Sequence, residues 1–245
     1  MSNNYFSFRQ FTVRQERCAM KVGTDGTLLG AWATVPALVP HPAVLDVGTG
    51  TGLIALMMAQ RFPQADIKAI DIDGEAVAQA TENIEASPFA GRISVSKIAV
   101  QDLTEGRFDA IICNPPFFTE ALTCPNERRT AARHTLFLTY GELMAAAGRM
   151  LSDVGEASVV IPTDFMSDMN SAAAIAGLLP RRVCYVKTTA RKPAKRVLLA
   201  YSRLHPHEEI DTRTIVIGDE EYNRLTGDFY LTPEEKASGN TTENR

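Results

Sequence analysis

Two rhythms of apolar and polar positions alternate along this chain from about residue 43 onward. AVLDV (43–47) is a short, almost continuous apolar run, the pattern of a strand covered on both faces. GLIALMMAQRF follows it with apolar residues on every side, the pattern of a buried helix. IKAID (67–71) repeats the strand rhythm and GEAVAQATENIEA the helical one, with Asp73 placed to cap that helix. RISVSKIAV and FDAIIC read as further strands, TYGELMAAAGRML as a helix, EASVVIP as a strand and DFMSDMNSAAAIAGL as a helix. RVCYVKT and RVLLAYS then follow one another without a helix between them, as a hairpin with TTARKPAK at its tip. Strands alternating with helices predict an α/β fold with a doubly wound, mostly parallel sheet, to which this closing hairpin adds antiparallel strands.

The same pattern divides the chain. Residues 1–40 precede the first strand, 41–232 hold the alternating elements, and the polar stretch 233–245 is expected to be a disordered tail. At 245 residues, with 45% hydrophobic and 22% charged positions, a full core can form. No apolar run reaches the length of a membrane span and no secretory leader opens the chain, so a cytoplasmic protein that does not engage membranes is expected. Cys18, Cys113, Cys124 and Cys184 lie far apart without metal-ligand spacing, which predicts free thiols and no metal.

Charge is unevenly placed within a net charge of −4. From Met169 to His207 there is no acid, while Arg181, Arg182, Lys187, Arg191, Lys192, Lys195, Arg196 and Arg203 are all basic. A basic block inside an acidic protein predicts a local surface for a polyanion. Arg9, Arg14, Arg17 and Lys21 form a second basic cluster, and Arg128, Arg129 and Arg133 a third.

Two turns carry candidate chemistry. LDVGTGTGLIAL places Asp46, Gly48, Gly50 and Gly52 between the first strand and its helix, where glycine lets backbone approach a ligand closely. Asp71 ends the second strand, where a carboxylate can accept both hydroxyls of a ribose. These features suit either a nicotinamide or an S-adenosylmethionine (SAM) enzyme. Ahead of them, Thr24 and Asp25 in MKVGTDGTLLGAW either cap the helix that follows or lie beside the amino-acid end of the cofactor.

The second turn is Asn114-Pro115-Pro116-Phe117, at the end of FDAIIC. Successive prolines cannot continue a ladder, and they fix where the preceding carbonyls point. An exocyclic amine conjugated to a ring is a poor nucleophile, and it must be held with its lone pair aimed at the electrophile. The Asn114 side-chain oxygen and the Pro115 carbonyl can each accept one of its protons while Phe117 stacks on the planar group. Adenine N6, cytosine N4, guanine N2 and a glutamine amide all meet that description.

The order Asp-x-Gly-x-Gly-x-Gly, an acid closing strand two, Asp102 after strand three and Asn-Pro-Pro-Phe after strand four resembles the class I SAM-dependent methyltransferases, over roughly residues 20–203. The resemblance implies a Rossmann-like, seven-stranded domain. It also implies that Gly48 and Gly50 wrap the methionine portion, Asp46 orients the loop, Asp71 holds the ribose, and Asp102 meets the adenine amine. FTVRQERCAMKVGTDGTLLGAW, NPPFF, AARHT, KRVLLAYS and EEYNRLTGDFYL are similar, almost end to end, to the bacterial methyltransferases that modify N6 of the adenine next to the anticodon of valine tRNA. Phe117 stands where that family more often has Tyr, as in enzymes acting on guanine N2 of ribosomal RNA. The resemblance implies SAM as cofactor and tRNA as partner; a monomer is expected, with residues 1–40 packing on the cofactor pocket, the basic clusters placing Arg133, His134, Arg191, Lys192, Lys195 and Arg196 on the RNA, and the polar stretch Thr119–Thr135 forming a lid. Glutamine methylation and a non-enzymatic RNA-binding protein are the rival expectations.

Overall fold

The computed structural model describes residues 4–18, 20–115, 138–203, 209–232 and 234–235. Eight strands make the central sheet: β3 (Ala43–Val47), β4 (Asp66–Asp71), β5 (Ile93–Lys97), β6 (Phe108–Cys113), β7 (Leu151–Pro162), β8 (Leu178–Lys187), β9 (Arg196–Arg203) and β10 (Asp211–Val216). Their order is β10-β8-β9-β7-β6-β3-β4-β5. β3 to β7 run parallel, β9 runs antiparallel to both β7 and β8, and β10 pairs parallel with β8. Seven of these are the expected strands, and the closing hairpin is β8–β9. The eighth, β10, departs from a seven-stranded sheet. DTRTIV buries only Ile215 because it lies on an edge, so it lacks the apolar run that marks an inner strand.

Alternate residues of each inner strand serve opposite faces. Val44, Ala110 and Ile112 join one core with helices α1 (Thr24–Trp32), α2 (Leu53–Arg61) and α3 (Gly74–Glu85). Leu45, Val47, Ile111 and Cys113 join the other with α4 (Tyr140–Met150) and α5 (Met166–Ile175). Asp73 caps α3 as expected, its carboxylate accepting from the Glu75 amide, and Thr139 with Glu142 forms a capping box on α4. At Gly30 a Cβ would stand 2.7 Å from Met57 Sδ, so α1 and α2 meet where only hydrogen fits.

The segment before α1 is ordered by contacts far along the chain. Strands β1 (Tyr5–Ser7) and β2 (Thr12–Arg14) form a separate hairpin, absent from the strands read in the sequence. Phe8 bridges to Tyr230 beyond α6 (Glu220–Thr226), and the Arg9 amide donates to the Phe229 carbonyl at 2.9 Å. Of the tail, only Glu234 and Glu235 are described, and Glu235 pairs with Arg9 at 3.1 Å.

Candidate active site

β3, β4 and β6 end on one edge of the sheet, and the strand order reverses there between β3 and β6, the place where open α/β sheets bind ligands. Val47 is level with Cys113 on one side and Ile70 on the other. One residue further on, Asn114, Gly48 and Asp71 therefore stand in a row across three strands, spanning roughly 10 Å at the usual strand spacing.

The glycine turn is open toward this row. Gly48, Gly50 and Gly52 have φ of 68°, 55° and 81°, conformations costly for any other residue, and a Cβ on Gly48 or Gly50 would meet no atom within 4 Å. Asp71 holds the turn: its carboxylate accepts from the Gly50 amide at 2.9 Å and from the Asp73 amide at 3.0 Å. It therefore braces both the glycine turn and the start of α3.

Asp46 is fully buried. Its Oδ2 accepts from Thr49 Oγ1 at 2.6 Å and from the Ala55 amide at 3.2 Å, serving α2 as the cap that Gly52 has no side chain to provide. Among the described residues its Oδ1 has no hydrogen-bond partner. Burial pushes the Asp46 pKa up from 3.8 to about 7; the bonds from Thr49 and Ala55 oppose this, and the charge of Asp71 adds to it. The folded protein thus keeps a proton that the unfolded chain loses near pH 4. The stability this contributes is fully present below pH 3.8 and is lost as pH rises to about 7. In denaturant titrations without ligand, stability between pH 4 and 7 should fall less with rising pH in Asp46→Asn than in the wild type. Parallel pH profiles would contradict the assignment.

Asn114 presents a second orphan. Among the described residues its Oδ1 is buried without a partner, while Nδ2 lies 3.8 Å from Met20 Sδ. Pro115 is buried behind it. A buried acceptor left empty costs about 1–3 kcal/mol, so this oxygen is suited to an incoming N–H donor. The open glycine turn, the two orphan oxygens and the braced Asp71 together fit a ligand with a polar, ribose-bearing body next to an amine-bearing acceptor. Met20, exposed and against Asn114, is a site residue that the motifs do not single out; its one signal is its place at the head of MKVGTDG.

The other expected residues divide. Gly23, not Thr24 or Asp25, is the N-cap of α1, and it makes no side-chain cap bond. The Asp25 carboxylate instead pairs with Arg196 at 2.8 Å. The α1 start does adjoin the acceptor end, since a Cβ on Gly26 would stand 3.8 Å from Asn114 Nδ2. Asp102 is exposed on the connection after β5 and makes no side-chain hydrogen bond among the described residues. Pro116, Phe117, Arg133, His134, Cys124 and the expected lid 119–135 lie outside the described residues. Cys18, Cys113 and Cys184 are free and buried.

The basic block is narrower than its sequence suggests. Arg182 stacks on Trp32 at 3.9 Å and pairs with Glu156, Arg203 donates to the Gly148 and Leu151 carbonyls, and Arg196 is turned toward Asp25. Each of these three guanidiniums is thus engaged by the protein itself. Arg191, Lys192 and Lys195 remain exposed at the hairpin tip. Val159 is level with Cys113, and Pro162, three residues on, with Arg196, so the tip stands roughly 10 Å above the edge that carries Asn114. Among the described residues no helix is long and apolar enough to cross a membrane.

Residues 29–168, more than half of the chain, match the methyltransferase small domain family. Among solved structures, a predicted O-methyltransferase of Agrobacterium tumefaciens aligns with a TM-score of 0.63 at 16% identity, covering 84% of this chain and 96% of its own. The CcbJ methyltransferase of Streptomyces caelestis aligns at 0.51 with 12% identity, covering 73% of this chain and 94% of its own. These likenesses speak for the fold alone. In sequence, the tRNA1(Val) (adenine(37)-N6)-methyltransferase of Phocaeicola vulgatus is 48% identical over 94% of this chain and 99% of its own length. The protein of that name from Trichodesmium erythraeum is 43% identical over the same shares. Identities of 43% and 48% over 94% of the chain leave one conclusion: the chain belongs to the family of the tRNA1(Val) (adenine(37)-N6)-methyltransferases.

Proposed function

We propose that this protein transfers the methyl group of SAM to the exocyclic N6 of adenine 37 in the anticodon loop of valine tRNA. The observation that carries the reading is the buried, unpartnered Asn114 Oδ1 at the end of β6, next to the open glycine turn. Asn114 Oδ1 and the Pro115 carbonyl accept the two N6 protons and turn the nitrogen lone pair out of conjugation with the ring. When bound, SAM would supply the activated methyl and its sulfur would keep the electron pair of the C–S bond, while the amine held by Asn114 and Pro115 would give its surplus proton to water. Orientation supplies the rate, and no strong base is required. Phe117 stacks on the base. Gly48 and Gly50 admit the cofactor backbone to backbone, Asp46 holds that turn, Asp71 takes the ribose hydroxyls, and Asp102 the cofactor's adenine amine. Thr24 and Asp25 act from the α1 start, beside the acceptor.

Recognition of the RNA rests on phosphates and on a base flipped from the loop. The protein works in the cytoplasm as a monomer, with Arg191, Lys192 and Lys195 as the leading phosphate ligands, joined by Arg133 and His134. Arg196 serves by holding the hairpin to Asp25. Replacing Arg191, Lys192 and Lys195 together by alanine should weaken tRNA binding and flatten the dependence of log K on log salt by about 0.7 for each phosphate no longer neutralised, with SAM affinity unchanged. An unaltered slope would place the RNA elsewhere.

The deciding experiment incubates the protein with methyl-labelled SAM and, separately, unmodified tRNA, ribosomal RNA and cell-extract protein, followed by digestion. Labelled N6-methyladenosine from tRNA supports the proposal. N2-methylguanosine from ribosomal RNA, methylglutamine, or no product would overturn it.

A further inference from the structure

The chain between β2 and α1 belongs to neither element, yet three buried amide side chains hold it in place. Asn83 of α3, 2% exposed, treats Arg14 as a strand partner would: its Oδ1 accepts from the Arg14 amide at 2.8 Å and its Nδ2 donates to the Arg14 carbonyl at 2.8 Å. The same Nδ2 donates to the Thr51 carbonyl, inside the glycine turn, at 2.8 Å. One turn earlier on α3, Gln79, fully buried, accepts from the Arg17 amide at 3.3 Å. Gln15 accepts from the Val22 amide at 2.8 Å and so closes the segment on itself. Arg17 is held a second time, through its guanidinium, by Glu82 of α3 at 3.0 Å.

The segment held this way runs along the row of site residues. Cys18 lies close enough to Asp71 and Asp73 for their charges to add to burial in raising its thiol pKa to about 11. Met20 Sδ is 3.8 Å from Asn114 Nδ2 at the other end. Met20 thus reaches the acceptor-side amide, while Cys18 lies within electrostatic range of the ribose-side acid. Fixing buried amides on a stretch of irregular backbone costs conformational entropy, offset only in part by the burial of Cys18 and the packing of Val22 against the core.

We infer that the backbone around Arg14, Arg17 and Val22 is a strap forming the outer wall of the SAM site, and that Asn83 and Gln79 are positioning residues that set this wall and, through Thr51, the glycine turn as one unit. The inference rests on the SAM-binding reading of the site. Neither amide touches the cofactor. Each acts through the backbone it grips, so cofactor affinity depends on residues of α3 whose side chains fill the seam between α3 and the strap, Asn83 reaching the glycine turn as well.

The test pairs calorimetric SAM binding with hydrogen exchange on the full chain. In the wild type, SAM should slow exchange at the Arg17 and Val22 amides as well as in the glycine turn. Asn83→Ala should weaken SAM binding roughly tenfold, the scale of one or two lost hydrogen bonds, and speed exchange at Arg14 and Arg17 while β3 and β6 stay protected. Gln79→Ala, which leaves a good helix former on α3, guards against a folding failure of the first variant and should speed exchange at Arg17 with a smaller loss of SAM affinity. If the wild type binds SAM without protecting Arg17 and Val22, or if both alanine variants bind it with unchanged affinity, the strap is only scaffolding and the inference falls while the SAM reading stands. A wild type that fails to bind SAM overturns both.

Discussion

Asn114→Ala should lower the rate of methyl transfer by about 10²–10³-fold or more while SAM affinity stays within a few-fold, measured by single-turnover kinetics beside calorimetry. Among the described residues the Asn114 oxygen is buried and unpaired, so its acceptor capacity is already desolvated and in place. Truncation removes one of two groups that hold the amine lone pair on line, an interaction that matters most as the nitrogen rehybridises. Asn114→Asp keeps an acceptor at the same point and should retain measurable turnover, whereas a merely structural asparagine at a strand end would tolerate alanine better than a buried charge. Near-normal turnover in the alanine variant would remove Asn114 from the chemistry.

The second large effect is expected at Asp71. Its two oxygens brace the Gly50 and Asp73 amides, so Asp71→Ala loosens the glycine turn and the head of α3 together, in addition to removing the acceptor for the ribose. Hydrogen bonds to a charged group are worth about 1.5–3 kcal/mol each, and SAM affinity should fall by roughly 10–100-fold or more. Turnover at saturating SAM should fall far less, the reverse of the Asn114 pattern. A variant that binds SAM normally would limit Asp71 to a helix-capping role.

How far these sites can be read from residue order depends on how local their physics is. β3 and β6 fall on the runs AVLDV and FDAIIC because an inner strand covered on both faces has no polar positions to blur it. Gly48, Gly50 and Asp71 are legible because a left-handed turn and a strand-end acid are properties of a few consecutive residues. β10 and the β1–β2 hairpin escape because edge and surface strands carry little apolar signal. The pairing of Asp25 with Arg196 is hidden for another reason. They are 171 residues apart, and nothing in either neighbourhood announces that they meet. A count of positive charges cannot separate Arg182 and Arg203, whose side chains serve the interior, from the three cations left at the hairpin tip.

The bridge from Phe8 to Tyr230 and the ion pair from Arg9 to Glu235 have a consequence for the order of assembly. During synthesis the first strands leave the ribosome long before the residues that clasp them exist. The parallel core can close around β3 to β7 as it emerges, but the clasp over β1 and β2 must wait for the last stretch of chain. A ribosome that stalls before Phe229 thus releases a chain whose sheet can form while Phe8 and Arg9 of the leading hairpin still lack the residues that clasp them.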